Sequence, residues 1–505
     1  MLQKYRIYHY LWIEMACFGA IILIVFAWYI SSFKIVDWSI FFLVGLHIGL
    51  CIVLIWSQLR RGTIDIFHPI IFYCAFFVFP MIIIKGLALT FGIKPRFLWL
   101  IPDSYKYLDL ALIFTFIGTI CLILGFYFTF ARNVAKRLPL PRLLSIHLRL
   151  RWQTLFITYV IGLAFVLYLG KLGIFGASLA EFKRSFTWIN WVQQFSKWHL
   201  MSLFLLVFYM VCLKKPIWLI VTGLAFATSI ILAILSGNRS GLLWIILLCM
   251  AAFLYAKYPR IKLGKLALWL VGLFIVILLG IILISPYRTL RQAEVAYDTL
   301  SLTEIKSLMQ ESTENLLSWK IIDIFDYTKD RLFERLCVIE LLAVTLAHAN
   351  DEGVKASEQS VGIDNNIMKN LIYGFVPRAI WPDKPIVSDF GLWFSRIYLG
   401  TPYRTWNSPS IFGDLYRNFG FLGIPLGMFL LGILLRIIYE KLIVEGNGNA
   451  LAILAYYFLL TGVNYEASYS FFSNWIRIIF ILLPLFWIVT RGRRRSALST
   501  VKGIL

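Results

Sequence analysis

Apolar stretches of roughly 16–23 residues recur along most of this chain, each close to the length that crosses ~30 Å of hydrocarbon. Backbone groups in lipid must be satisfied within their own segment or in a closed barrel. Barrel strands alternate polar and apolar residues over about ten positions. These runs do not alternate, so they read as helices. Composition agrees: 60% of the 505 residues are hydrophobic and 15% charged, against about 25% charge in a soluble domain. The expected fold is all-α, a polytopic transmembrane helical bundle of about 12 spans. They are placed near 11–30, 38–57, 67–85, 107–130, 153–170, 199–213, 217–235, 241–256, 266–284, 411–435, 450–465 and 474–490.

The formal charge of +22 raises nucleic acid as a partner, but the distribution of basic residues argues against it. They lie in bands between the apolar runs, as the positive-inside rule requires. Arg60 and Arg61 follow the second span, and Arg132, Lys136, Arg137, Arg142, Arg149 and Arg151 fill the connection after the fourth. Lys214 and Lys215, then Lys257, Arg260, Lys262 and Lys265, then Arg436 and Lys441, and finally Arg491, Arg493, Arg494 and Arg495 continue the pattern. Every second connection is therefore basic, which puts both termini in the cytoplasm. Lys4 and Arg6 precede the first run as in a signal peptide. That run lacks a small-residue cleavage site and reads as an uncleaved anchor. Of seven cysteines, six fall inside apolar runs and no spacing indicates zinc or a disulfide framework.

The opposite side carries the longer connections, 86–106, 171–198 and a segment of about 125 residues from Ser285 to Ser410. A structureless loop of that length is unusual in a compact protein unless it is functional. Ser301 and Glu304 have capping-box spacing, and Leu332, Leu336, Ile339 and Ala343 recur at helical intervals. The expected organisation is a bundle of about nine spans over 1–284, an outward-facing helical cap over 285–410, and about three further spans over 411–505. No internal repeat of the transporter kind is visible.

Three outward stretches stand out. Ser236-Gly-Asn-Arg-Ser-Gly241 holds Arg239 in a tight turn at the membrane surface, where it either snorkels to headgroups or offers a fixed cation to a lipid phosphate. Pro377-Arg-Ala-Ile-Trp-Pro-Asp-Lys-Pro385 is stiffened by three prolines, so Arg378 and Lys384 are held in place and Trp381 presents a flat face to a sugar or an isoprenoid. Ser408–Gly420 carries Asp414 and Arg417 at i and i+3, on one helical face. Charges at the end of a span are costly unless paired or functional. Asn464-Tyr-Glu466 is a weaker fourth element. There is no Walker A sequence and no His-x-x-x-His pair, so neither ATP chemistry nor a metal is expected, and no cofactor. The six histidines are scattered and read as structural.

At these residues the chain resembles the bacterial oligosaccharide repeat unit polymerases of O-antigen and capsule assembly, the Wzy type. Pro377–Pro385 is similar to that family's Pro-Arg-x-x-Trp-Pro-x-Lys-Pro element, Gly413–Gly420 to the helix that follows it, and Ser236–Gly241 to an Arg-bearing turn also seen in O-antigen ligases. The resemblance implies a metal-independent glycosyltransferase of the bacterial cytoplasmic membrane. Its substrates would be undecaprenyl-diphosphate-linked glycans, joined by transfer of the growing glycan to a new lipid-linked unit, in O-antigen, capsular or exopolysaccharide assembly. It also implies a chain-length regulator and a flippase as partners, the lipid bilayer as surroundings, and no nucleic acid. Arg239, Arg378, Lys384, Arg417 and Arg335, with Trp381 and Tyr416, would bind diphosphate and glycan. Asp414, Glu466 and Arg378 would carry the catalysis. Asp414 is the favoured general base, Glu466 the second and Asp383 the third, and the competing view is that Asp414 only orients Arg417. Two other readings are an O-antigen ligase-like transferase and a lipid-linked oligosaccharide flippase. A ligase usually carries an outer histidine, which His348 matches poorly. A flippase tends to carry charges within its spans.

Overall fold

The computed structural model describes residues 37–59, 65–93, 95–141, 150–172, 187–235, 239–257, 336–369, 390–401, 407–466 and 471–491, with a few isolated positions such as Trp381 and Tyr469. The spans expected at 11–30 and 266–284, and the capping box at 301–304, lie outside them. All regular structure among the described residues is helical.

Seven helices are long and apolar enough to cross a membrane, which makes this a multi-pass membrane protein. They are α1 (Trp38–Leu59), α2 (Pro69–Thr90), α3 (Ser104–Tyr127), α5 (Trp152–Lys171), the bent pair α6 (Thr187–Ser196) and α7 (Trp198–Leu213), α8 (Pro216–Leu235) and α16 (Phe471–Arg491). Between α3 and α5 lies the short α4 (Thr129–Arg137). In α2, Pro80 has no N–H to donate, and the helix widens to π geometry over Cys74–Ile84. Two apolar helices, α9 (Arg239–Lys257) and α15 (Ala450–Thr461), coincide with expected spans but have apolar stretches of only 10–17 residues. The remaining helices are α10 (Val338–His348), α11 (Glu352–Val361), α12 (Phe390–Leu399), α13 (Ser410–Phe419) and α14 (Gly423–Tyr439).

The run expected as one span at 411–435 is two helices. Gly420 adopts φ +65° and ψ −154°, a conformation essentially confined to glycine, and it separates amphipathic α13 from apolar α14. Freed from α13, α14 packs along the length of α3. The two backbones come very close: a Cβ on Gly125 would lie 2.0 Å from the Phe429 carbonyl oxygen, and one on Gly432 would lie 2.2 Å from that of Leu122. Small residues are what permit such an approach in apolar surroundings.

A second group, α5 to α9, packs around α7, and α15 joins it to the rest. At the buried start of α15, Asn449 accepts hydrogen bonds from the Leu451 and Ala452 amides at 2.8 and 3.3 Å. These are donors that the first turn of a helix otherwise leaves unpaired.

The helix expected from the spacing of Leu332, Leu336, Ile339 and Ala343 is present over its later part as α10, with Leu332 outside the described residues, and its position is informative. At ~1.5 Å per residue, eleven residues span about 16 Å, too short to cross a bilayer. Every residue from Val338 to Leu346 is buried. A helix apolar on all sides belongs in a core, and α10 packs among α2, α3 and α13. Its one acid, Glu340, is fully buried and pairs at 2.6 Å with Lys85 of α2, itself 1% exposed. The other carboxylate oxygen of Glu340 accepts the Arg96 and Phe97 amides at 2.6 and 2.7 Å. The late segment and the connection after α2 are therefore tied together at one end of the bundle. At the other end, Asp65 accepts hydrogen bonds from the Tyr255 and Tyr439 hydroxyls at 3.3 and 3.1 Å.

Candidate functional site

The charged constellation of the Lys85–Glu340 end is built on α13. Its ten residues place Ile411, Phe412 and Leu415 into the core, and the same turns bring Asp414 and Arg417 inward beside them. Ser410, Gly413 and Asp414 are also buried, because α10 packs against this face of α13.

Arg417 is the centre of the cluster. Its Nε donates to Glu358 of α11 at 2.7 Å, and a terminal nitrogen pairs with the same oxygen. The other terminal nitrogen donates to Asp414 at 3.1 Å and to Asn366 at 3.4 Å. The guanidinium lies 4.8 Å from the ring centre of Phe390 and 5.8 Å from that of Tyr398, within cation–π range. The Tyr398 hydroxyl itself donates to Glu358 at 2.9 Å. The side chain of Arg417 is only 2% exposed. Two buried carboxylates thus flank one buried guanidinium, and its planar fork is matched by acceptors on both sides.

Asp414 is equally enclosed. One oxygen accepts from Arg417 and from Asn418 Nδ2 at 3.3 Å. The other accepts from Asn366 Nδ2 at 3.1 Å and from the Tyr469 amide at 2.9 Å. Burial pushes the Asp414 carboxyl above the usual carboxylate range, while the Arg417 cation, the Tyr469 amide and Asn366 pull the other way. Such a carboxylate is well suited to fixing a guanidinium and has no open lone pair toward solvent.

Glu466 differs. It is exposed, on a turn anchored at two points: the Tyr465 carbonyl accepts the Ile411 amide at 3.0 Å, and Tyr469 donates to Asp414 as above. The turn therefore docks on α13 and presents Glu466 outward. Tyr416 is half-buried. Its hydroxyl accepts from Asn350 at 3.3 Å, and its ring lies 6.0 Å from Phe114 of α3. Trp381 is 37% exposed. Arg239 opens α9, with its side chain outside the described residues, as are Arg335, Arg378, Asp383 and Lys384.

The structure brings Asp414, Arg417, Tyr416 and Glu466 onto one helix and its docked turn. It adds partners that the sequence reading did not single out: Glu358, Asn366, Tyr398, Asn418, and the Lys85–Glu340 pair. An available signal for the last was an acid inside an apolar helix. Among the described residues, no group of three His, Cys, Asp or Glu side chains is placed to hold a metal ion.

Comparison with known proteins gives two matches of different reach. The family model described as Domain of unknown function (DUF8712) matches residues 163–494, more than half of the chain. A stretch of 57 residues is 40% identical to the O-antigen polymerase of Salmonella typhimurium (strain LT2), and also to that of Salmonella typhi. That stretch spans 11% of this chain and 14% of the length of each relative. No solved structure matches the chain.

Proposed function

The chain belongs to the family described as Domain of unknown function (DUF8712), and within that family we propose that it is a polymerase of lipid-linked oligosaccharide repeat units. The observation that carries this reading is the 40% identity over 57 residues to two O-antigen polymerases. The multi-pass helical architecture suits substrates with long isoprenoid tails, which must reach the site sideways from the bilayer.

In the proposed reaction, a hydroxyl of one undecaprenyl-diphosphate-linked unit attacks the anomeric carbon of a growing glycan on a second carrier. The new glycosidic bond forms as the bond to the diphosphate breaks. Undecaprenyl diphosphate departs with the bonding electrons, and the hydroxyl proton passes to a carboxylate. Glu466 is the proposed base, since it is exposed on a turn fixed at both ends and a general base must reach the proton it takes. Asp414 is the proposed positioning residue, which orients Arg417 together with Glu358. Arg417 would meet a diphosphate only after exchanging one of its present acceptors. Arg239, Arg378 and Lys384 are therefore proposed as the first cations on the leaving group, with Arg335, Trp381 and Tyr416 on the glycan. Positioned cations in a site of low dielectric stabilise developing charge by several kcal/mol.

Deleting the gene in its host tests the reading. Surface glycan should collapse to single repeat units, and plasmid-borne protein should restore the long-chain ladder. Persistence of full-length ladders without the protein would rule the polymerase out.

A further inference from the structure

The exposed surface of α16 carries a charge that the cluster on α13 does not use. This helix contains the candidate span Phe471–Thr490. One face, with Trp475, Ile478, Ile481 and Leu485, is buried. Phe480, Leu483 and Trp487 are about half exposed or more, as lipid-facing residues are. Arg477 is exposed among them, about 9 Å into the helix at 1.5 Å per residue. It makes no hydrogen bond, ion pair or ring contact within the described residues. An arginine facing hydrocarbon is unfavourable unless it reaches an anion or water, and it is the side chain best shaped to grip a phosphate.

The surroundings are fixed. The Trp198 indole donates to the Ile481 carbonyl at 2.9 Å, which clamps α7 to α16. The Trp191 ring of α6 stands 4.9 Å from that of Phe480. Ile479, Phe480, Leu483 and Trp487 follow Arg477 as an exposed apolar face that continues along the helix. The helix starts two residues after Tyr469, whose amide holds Asp414, so Arg477 lies toward the same end of the bundle as the α13 cluster.

We infer that Arg477 is the headgroup anchor of a lateral entry port for a long-chain isoprenoid phosphate. The phosphate pairs with the guanidinium, and the chain lies along Phe480, Leu483 and Trp487, held at its upper end beside Trp191. The identity of the lipid rests on the polymerase reading, whereas the cation and the apolar face do not.

The test uses the full-length protein in nanodiscs of phosphatidylcholine, titrated with undecaprenyl phosphate and read by native mass spectrometry. Arg477→Gln should weaken retention about tenfold or more, the loss expected for a charged hydrogen bond. Arg477→Lys should recover part of it, and phosphatidylglycerol should compete poorly. If Arg477→Gln does not fold, Leu483→Ala serves instead and should lower retention several-fold. Unchanged retention in either folded variant overturns the port, as does phosphatidylglycerol competing as well as the isoprenoid lipid. If the unaltered protein holds no undecaprenyl phosphate, the port falls, while the polymerase reading stands or falls by the glycan ladder. If it holds the lipid and Arg477→Gln makes no difference, only the port falls.

Discussion

A buried guanidinium between two buried carboxylates is stable only as a complete set. Removing one partner of such a group costs about 3–5 kcal/mol, because the remaining charge stays desolvated. Arg417→Lys keeps the charge but loses the fork that reaches Glu358, Asp414 and Asn366 together. It should lower the melting temperature of the solubilised protein and its yield in membranes, and an unchanged melting curve would contradict the packing described. Asp414 and Glu466 separate in a different assay. An amide still accepts a hydrogen bond but takes no proton. Asp414→Asn should therefore keep a measurable share of polymerisation that Asp414→Ala loses, while Glu466→Gln should be as inactive as Glu466→Ala. Equal loss in Asp414→Asn and Asp414→Ala, with Glu466→Gln active, would return the base to Asp414. The pairing of Asp414 with Arg417 was legible in the sequence because i,i+3 residues share a helical face. Glu358, Asn366 and Tyr398 were not, since they arrive from positions 19–59 residues away through tertiary packing that no local spacing encodes.

At the scale of elements, the junction of α2 and α10 is the feature with most at stake. Lys85 and Glu340 are both almost fully buried. Lys85→Met and Glu340→Met should each destabilise by about 3–5 kcal/mol, whereas the double variant Lys85→Met with Glu340→Met should recover much of that loss, as apolar replacements of buried pairs often do. Additive loss in the double variant would show that the two side chains do not interact. The recovery should be incomplete, because the Arg96 and Phe97 amides also lose their acceptor. The crossing of α3 and α14 is a steric matter. Gly432→Ala puts a methyl against the Leu122 carbonyl, so the helices must separate along their interface and the melting temperature should fall, whereas Gly45→Ala in α1, with nothing within 4 Å, should leave it near the native value. The helical character of these elements could be read from apolar runs alone. The division of 411–435 could not, because hydropathy averaged over that run blends the polar face of α13 with the apolar α14, and only the backbone at Gly420 separates them.

For the whole molecule, the multi-pass architecture follows from run length, and sidedness follows from charge. The seven candidate spans fall where apolar runs were expected, since lipid allows a long apolar segment little alternative to a helix. The burial of α10 was beyond such reasoning: an eleven-residue apolar helix reads the same whether it caps a bundle or enters it. Its contacts now bear on orientation. Glu340 joins the late segment to the backbone at Arg96 and Phe97, so residues 338–361 and the connection before α3 share one end of the bundle. Arg132, Arg436 and Lys441 gather with Glu440 and Glu445 near the other, and the basic bands after α7 and α9 belong to that second end by alternation. Under the positive-inside rule the second end is the one expected in the cytoplasm. Reporter fusions at Gly92 and at Lys355 should therefore both read as external, and fusions at Lys214 and at Ala497 as cytoplasmic. The Gly92 and Lys355 fusions test the physical link through Glu340, and the Lys214 and Ala497 fusions test the charge rule. If Gly92 and Lys355 disagree with each other, the α2–α10 junction is wrong. If they agree but read as cytoplasmic while Lys214 and Ala497 read as external, the chain is inverted, and a reaction on the outer face of the membrane loses its basis.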